Sequence, residues 1–149
     1  MEDLYPMVNE IGNTIFIGID SVIGNDNELL HFASGEVGAK QRKKLKTILR
    51  NFHNTVKHIV VFFYHHPFNR SFVMEMDDAK KVMSLLAGKI DILCFGHSHE
   101  SEIYNFKYNI DWILASGKTT RKSKNYQLQF REISIDTDSH KISMVSFKS

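Results

Sequence analysis

Two largely apolar runs, residues 58–64 (HIVVFFY) and 90–95 (IDILCF), most constrain what this chain can fold into. A strand with one face in water alternates apolar and polar residues. These runs do not alternate, so each reads as a strand covered on both faces, as in a layered α/β fold. Each run also ends in a histidine-rich loop. His65-His66-Pro67 closes the first, because proline cannot donate to a strand ladder. Gly96-His97-Ser98-His99 closes the second, with the glycine expected to let the backbone turn as it leaves the strand. In open α/β sheets the carboxyl ends of the strands form the edge where ligands bind.

The flanking segments support a layered arrangement. Residues 13–20 (NTIFIGID) read as a further strand ended by Asp20 and Ser21. Residues 22–38, with Gly24, Asn25, Asp26, Gly35 and Gly38, read as a long loop. A helix is expected over 39–52. Leu45, Ile48, Leu49 and Phe52 make its buried stripe, and Lys43, Lys44, Lys46 and Arg50 lie largely on other faces. A second helix is expected over 78–87, capped by Asp77 and stopped by Gly88, with Ala79, Val82, Met83 and Leu86 facing inward. Beyond Glu100 the pattern changes to strands at 102–106, 111–115, 126–135 and 141–147, all expected to be antiparallel, with turns at 107–109 and 136–139.

The chemistry is concentrated in the two histidine loops. Neutral imidazole is the commonest metal ligand, and two histidines one residue apart on a tight loop can reach adjacent metals. His65 on the neighbouring strand end can converge with His97 and His99. His31, His53, His58 and His140 lie in loops or near element ends and read as solvated. Asp20 reads as a turn cap, and Cys94 as a small core residue within a buried strand.

Composition excludes other classes. The 149 residues suffice for one domain with a real core, and the hydrophobic share of 42% is that of a globular chain. A net charge of +2 is too small to argue by itself for a nucleic-acid partner. No apolar run approaches the roughly 20 residues needed to span a bilayer. The first residues carry no apolar leader. One cysteine cannot form an internal disulfide, so a reducing, cytoplasmic setting is expected.

The runs FIGIDS, VVFFYHHPF, DILCFGHSH and ILASGKTT, with a helix carrying Gln41 and Leu45 between the first two, resemble the C-terminal half of the calcineurin-like metallophosphoesterases. The resemblance covers nearly the whole chain. It implies an α/β fold, part of a four-layer α/β/β/α sandwich with mixed sheets. It also implies hydrolysis of a phosphate mono- or diester by a hydroxide activated between two divalent ions, drawn from manganese, iron or zinc. Carried over residue by residue, the resemblance makes His65 and His97 ligands of one metal and His99 a ligand of the other. His66 inherits no ligand role and either packs or touches the substrate. Lys118 and Arg121, with Lys122 and Lys124 on the same loop after ILASG, are expected to attract an anionic phosphoester.

The family's Asp-x-His, Gly-Asp-x-x-Asp and Gly-Asn-His motifs have no counterpart before His65. Gly24-Asn25-Asp26 follows the FIGIDS strand instead of preceding it, and reads as turn chemistry. Residues 1–149 are therefore expected to form a single, N-terminally truncated domain. No catalytic residue is assigned, and the isolated chain is expected to lack turnover. An exposed sheet edge and face would then favour self-association or a partner chain supplying the missing half. Two alternatives remain open: a non-catalytic fragment, pseudoenzyme or split-enzyme subunit that binds metal weakly, and a nucleic-acid or protein-binding module acting through the basic helix.

Overall fold

The computed structural model describes residues 4–22, 34–53, 55–68, 75–117, 128–136 and 139–147. Its centre is a six-stranded mixed sheet in the order β1-β2-β3-β4-β6-β5. Strands β2 (Thr14–Gly18), β3 (His58–Phe62), β4 (Ile92–Phe95) and β6 (Trp112–Ala115) run parallel. Strands β1 (Met7–Ile11) and β5 (Glu102–Asn105) close the two edges antiparallel. The helices α1 (Ala39–Phe52) and α2 (Ala79–Leu86) are the β2–β3 and β3–β4 crossovers.

The apolar runs have the burial their sequence demands. Ile59, Val61, Phe63, Leu93 and Phe95 join Ile15, Ile17 and Ile113 on one face, packed with Leu45, Leu49, Val82 and Leu86 of the helices. Each fully buried Leu or Ile contributes about 1.5–3 kcal/mol. The alternate residues Val60, Ile92 and Leu114 face the other way and meet Ile133 and Ile135. These two come from β7 (Leu128–Ile135), which pairs antiparallel with β8 (His140–Phe147) as a separate two-stranded sheet. Phe62 and Met7, at the carboxyl-end side of β3 and β2, are 47% and 56% exposed among the described residues.

Several expectations are corrected. Segment 111–115 is antiparallel only to β5; it joins β4 in parallel and extends the central sheet. Strand β1 was not expected, although Ile11-Gly12-Asn13-Thr14 is a two-residue hairpin signal and Gly12 takes the left-handed φ of 58°. Asp77 does not cap α2. Asp78 holds the N-cap position, and its carboxylate serves the other helix instead: it accepts Val37 and Gly38 N–H at 3.2 and 3.0 Å and pairs with Arg42. His58 is not solvated. It is 7% exposed, and its Nε2 meets the Asp136 carbonyl at 3.1 Å, fastening β3 to the hairpin. Among the described residues, no helix is long and apolar enough to cross a membrane.

Candidate metal centre

The parallel ladders bring the exits of β2, β3 and β4 to one rim, and hydrogen bonds beyond the strands keep them together. Phe63 N–H donates to the Cys94 carbonyl at 3.2 Å, and Gly96 N–H to the Tyr64 carbonyl at 3.1 Å. The His65 and His97 rings therefore meet, with centroids 4.7 Å apart. Tyr64 stands edge-on to both, 5.0 Å from His65 and 5.1 Å from His97.

His65 is held from the β2 exit. Ser21 Oγ accepts the Tyr64 and His65 N–H groups at 3.2 and 3.1 Å and lies 3.0 Å from His65 Nδ1. The two amide hydrogens fill the Oγ lone pairs, and the Ser21 backbone also bonds the ring. The tautomer with Nδ1–H donating to the Ser21 carbonyl leaves the Nε2 lone pair for a metal ion, the usual arrangement of a ligating histidine. Ser21 is fixed in turn by Gln41, a buried residue of the first turn of α1. Gln41 Oε1 accepts Asp20 N–H at 2.9 Å, and its Nε2 donates to the Asp20 and Val37 carbonyls at 2.7 and 3.0 Å. Asp20 caps the turn as expected, accepting Val22 N–H at 2.8 Å. Gly35 completes the pocket, since a Cβ there would run into His65 Nδ1 and the Ser21 carbonyl.

His65 is kept neutral. Burial pulls its pKa below the ordinary 6.5, His97 adds to the effect, and Ser21, Asp20 and Asp77 oppose it. Among the described residues, both ring nitrogens of His97 are buried without a hydrogen-bond partner. An imidazole with two unpaired nitrogens carries a desolvation cost that a bound ion would relieve.

His97 and His99 both adopt left-handed backbone, with φ of 71° and 60°. Such conformations are sparsely populated for non-glycine residues and cluster at functional sites. Gly96 keeps an ordinary φ, so the turn expected of it is made by the two histidines themselves. His97 and His99 line one cleft of about 390 Å³ together with Tyr64, Gly96, Ser116 and Gly117.

His66 points elsewhere. It is 3% exposed and packs between Phe68 and Phe95. Its Nδ1 accepts Phe68 N–H at 3.2 Å and its Nε2 lies 3.3 Å from Glu102 Oε2, which also accepts the Tyr104 hydroxyl at 2.7 Å. With both nitrogens used, it has no lone pair to offer, and packing accounts for it. Lys118 and Arg121 lie outside the described residues, as do Lys122, Lys124 and Gly24-Asn25-Asp26.

The donor set fits a metal in part. Two imidazoles adjoin, one of them unpaired, and a third histidine shares the cleft. Among the described residues, no group of three or more histidine, cysteine or carboxylate side chains is assembled closely enough to hold an ion. Ser21, Gln41 and Gly35 were not singled out from the sequence as site residues, because nothing in their spacing connects them to His65. Ser21 and His65 are 44 residues apart in sequence and are brought together by the β2–β3 pairing.

No family model matches the chain, and no curated protein matches it. Solved structures do. A dimetal phosphatase from Danio rerio aligns with a TM-score of 0.58 at 15% identity, over 70% of this chain and 46% of that one. A Staphylococcus aureus protein assigned as a 5'-nucleotidase, solved with alpha-ketoglutarate, aligns with a TM-score of 0.51 at 14% identity, over 93% of this chain and 28% of that one. The chain thus spans less than half the length of either structure.

Proposed function

Because the chain has the α/β mixed sheet of part of a metallophosphoesterase fold, we propose that it contributes the histidine side of a metal-dependent phosphoesterase site. The observation that carries this reading is the His65–His97 pair, with rings 4.7 Å apart and both His97 nitrogens unpartnered. His65 and His97 would hold one divalent ion, manganese, iron or zinc, and His99 would reach a second. Such an ion supplies positive charge that polarises a phosphoryl oxygen. This chain's own residues do the rest: Ser21 orients His65, burial keeps it unprotonated, and Tyr64 walls the pair. Lys118 and Arg121 would attract the phosphate mono- or diester. The single Cys94 fits a reducing, cytoplasmic setting.

The second reading is a non-catalytic or split-enzyme subunit that binds metal weakly. It is favoured by the two-imidazole core without a third close donor among the described residues. A partner chain, or a second copy, would then cover the apolar rim at Met7 and Phe62 and bring carboxylates.

Calorimetric titration with manganese and zinc tests the site, and hydrolysis of a chromogenic phosphodiester tests turnover. We expect binding that His97→Ala removes. Binding with no turnover selects the second reading. Metal affinity unchanged in both His65→Ala and His97→Ala would sink the site itself.

A further inference from the structure

The outer helical layer carries a charge distribution that the fold does not require. Helix α1 holds six lysines and arginines and no acidic residue. Helix α2 adds Lys80 and Lys81, also with no acidic residue. The whole chain has a net charge of only +2, so the rest of it is net negative. The two helices carry eight of the nineteen lysines and arginines and none of the acidic residues.

Local energetics oppose this placement. Lys40 and Lys44, Arg42 and Lys46, and Lys46 and Arg50 are like-charge pairs at helical i, i+4 spacing, which destabilise a helix. Lys80 and Lys81 sit in the first turn of α2, at the positive end of the helix dipole. Arg42 pairs with Asp78 and Glu36. Lys43, Lys46, Lys80 and Lys81 are exposed, and no ion pair among the described residues takes them up. The four line one groove between the helices, about 580 Å³ in volume, with Arg42, Ser84 and Leu85.

We propose that this groove is a docking surface for the phosphate backbone of double-stranded nucleic acid. The lining decides among polyanions. Among the described residues that line it, Leu85 is the one apolar side chain and is half-buried, which offers little to insert into a membrane. Those residues include no aromatic side chain to anchor a protein partner or to stack on single-stranded bases. Mobile ammonium groups spread along a helix suit sequence-independent phosphate contacts. Helix α1, with 14 residues, is about 21 Å long, which spans roughly six steps of a duplex strand. The proposal does not depend on metal binding, because the groove lies on the helical layer and the histidines lie at the strand ends.

Fluorescence anisotropy with short labelled DNA and RNA duplexes tests it, between about 50 and 200 mM salt. Binding on the order of 1–100 µM is expected, weakening steeply with salt. The combined substitution Lys43→Gln, Lys46→Gln, Lys80→Gln and Lys81→Gln should reduce the logarithmic salt slope by about three to four and leave the circular dichroism spectrum unchanged. Replacing the same four with arginine should retain binding, as should His97→Ala. No binding to either duplex at the low-salt end would overturn the proposal. So would an unchanged slope in the glutamine variant, loss of binding in His97→Ala, or equally tight binding of poly-glutamate or phosphatidylserine vesicles.

Discussion

Ser21 Oγ lies 3.0 Å from His65 Nδ1 while accepting the amide hydrogens of Tyr64 and His65. One hydroxyl from the end of β2 thus fixes both the backbone and the ring of a residue at the end of β3. Removing it leaves two buried N–H groups without an acceptor. Ser21→Ala should cost about 1–3 kcal/mol in urea unfolding, and should weaken any metal binding at His65 by roughly 10–100-fold, the usual effect of losing a partner behind the ligand. A variant as stable as the parent would show that the hydroxyl is not needed there.

Gly35 is a separate test of the same pocket. A methyl group there meets the His65 ring on one side and the Ser21 carbonyl on the other, and the carbonyl is backbone. Gly35 itself is held in place, since Asp77 N–H donates to its carbonyl at 2.9 Å. Gly35→Ala should destabilise by about 1–3 kcal/mol through overpacking. Its signature would be a shift of the His65 ring resonances. An alanine variant with parental stability and an unmoved His65 would contradict the packing described.

The buried histidines make stability sensitive to acid. Burial is the leading cause that lowers the pKa of both His65 and His66, and the Glu102 hydrogen bond only partly offsets it at His66. In the unfolded chain these groups titrate near 6.5. Below that pH the unfolded state takes up protons that the folded state refuses, so stability must fall as pH drops from about 6.5 toward the folded values. The loss levels off below them, and neither group contributes a slope well above about 7.5. Urea midpoints at about pH 7.5 and 5.5 would show this, and His65→Gln with His66→Gln should flatten the difference. A parent equally stable at both pH values would refute it.

Cys94 should be inert in the native state. Burial pushes its thiol up to about 11, and Arg131 only partly counters this. At pH 8 the thiolate fraction is then on the order of one in a thousand. Iodoacetamide should label the folded protein far more slowly than the urea-unfolded chain. Comparable rates would mean that the β4 strand opens readily.

Local signals reached far into this fold. The largely apolar runs identified β3 and β4 as strands buried on both faces along most of their length, and the stripe of Leu45, Ile48, Leu49 and Phe52 marked α1 with its observed bounds. Other features had no local signal. His58 looks like any histidine at an element end, yet the hairpin seventy-eight residues later buries it. Asp78 immediately precedes its own helix in sequence, but its carboxylate bonds the N-terminus of the other one, because the two helices pack side by side. Strand β6 reads as one more antiparallel strand; its parallel partner is chosen by the free edge of β4, which sequence pattern does not encode.

By itself the sequence placed imidazoles at 65, 97 and 99 where two buried strands end, because periodicity and chain stops are local properties. Tertiary structure decided which of them meet. It set His65 against His97, turned His66 inward onto Glu102, and placed Ser21 and Gly35 behind His65. The physical reason is that ladder register and helix packing fix distances between residues far apart in the chain, and a hydrogen bond or a steric clash is decided within a few tenths of an ångström.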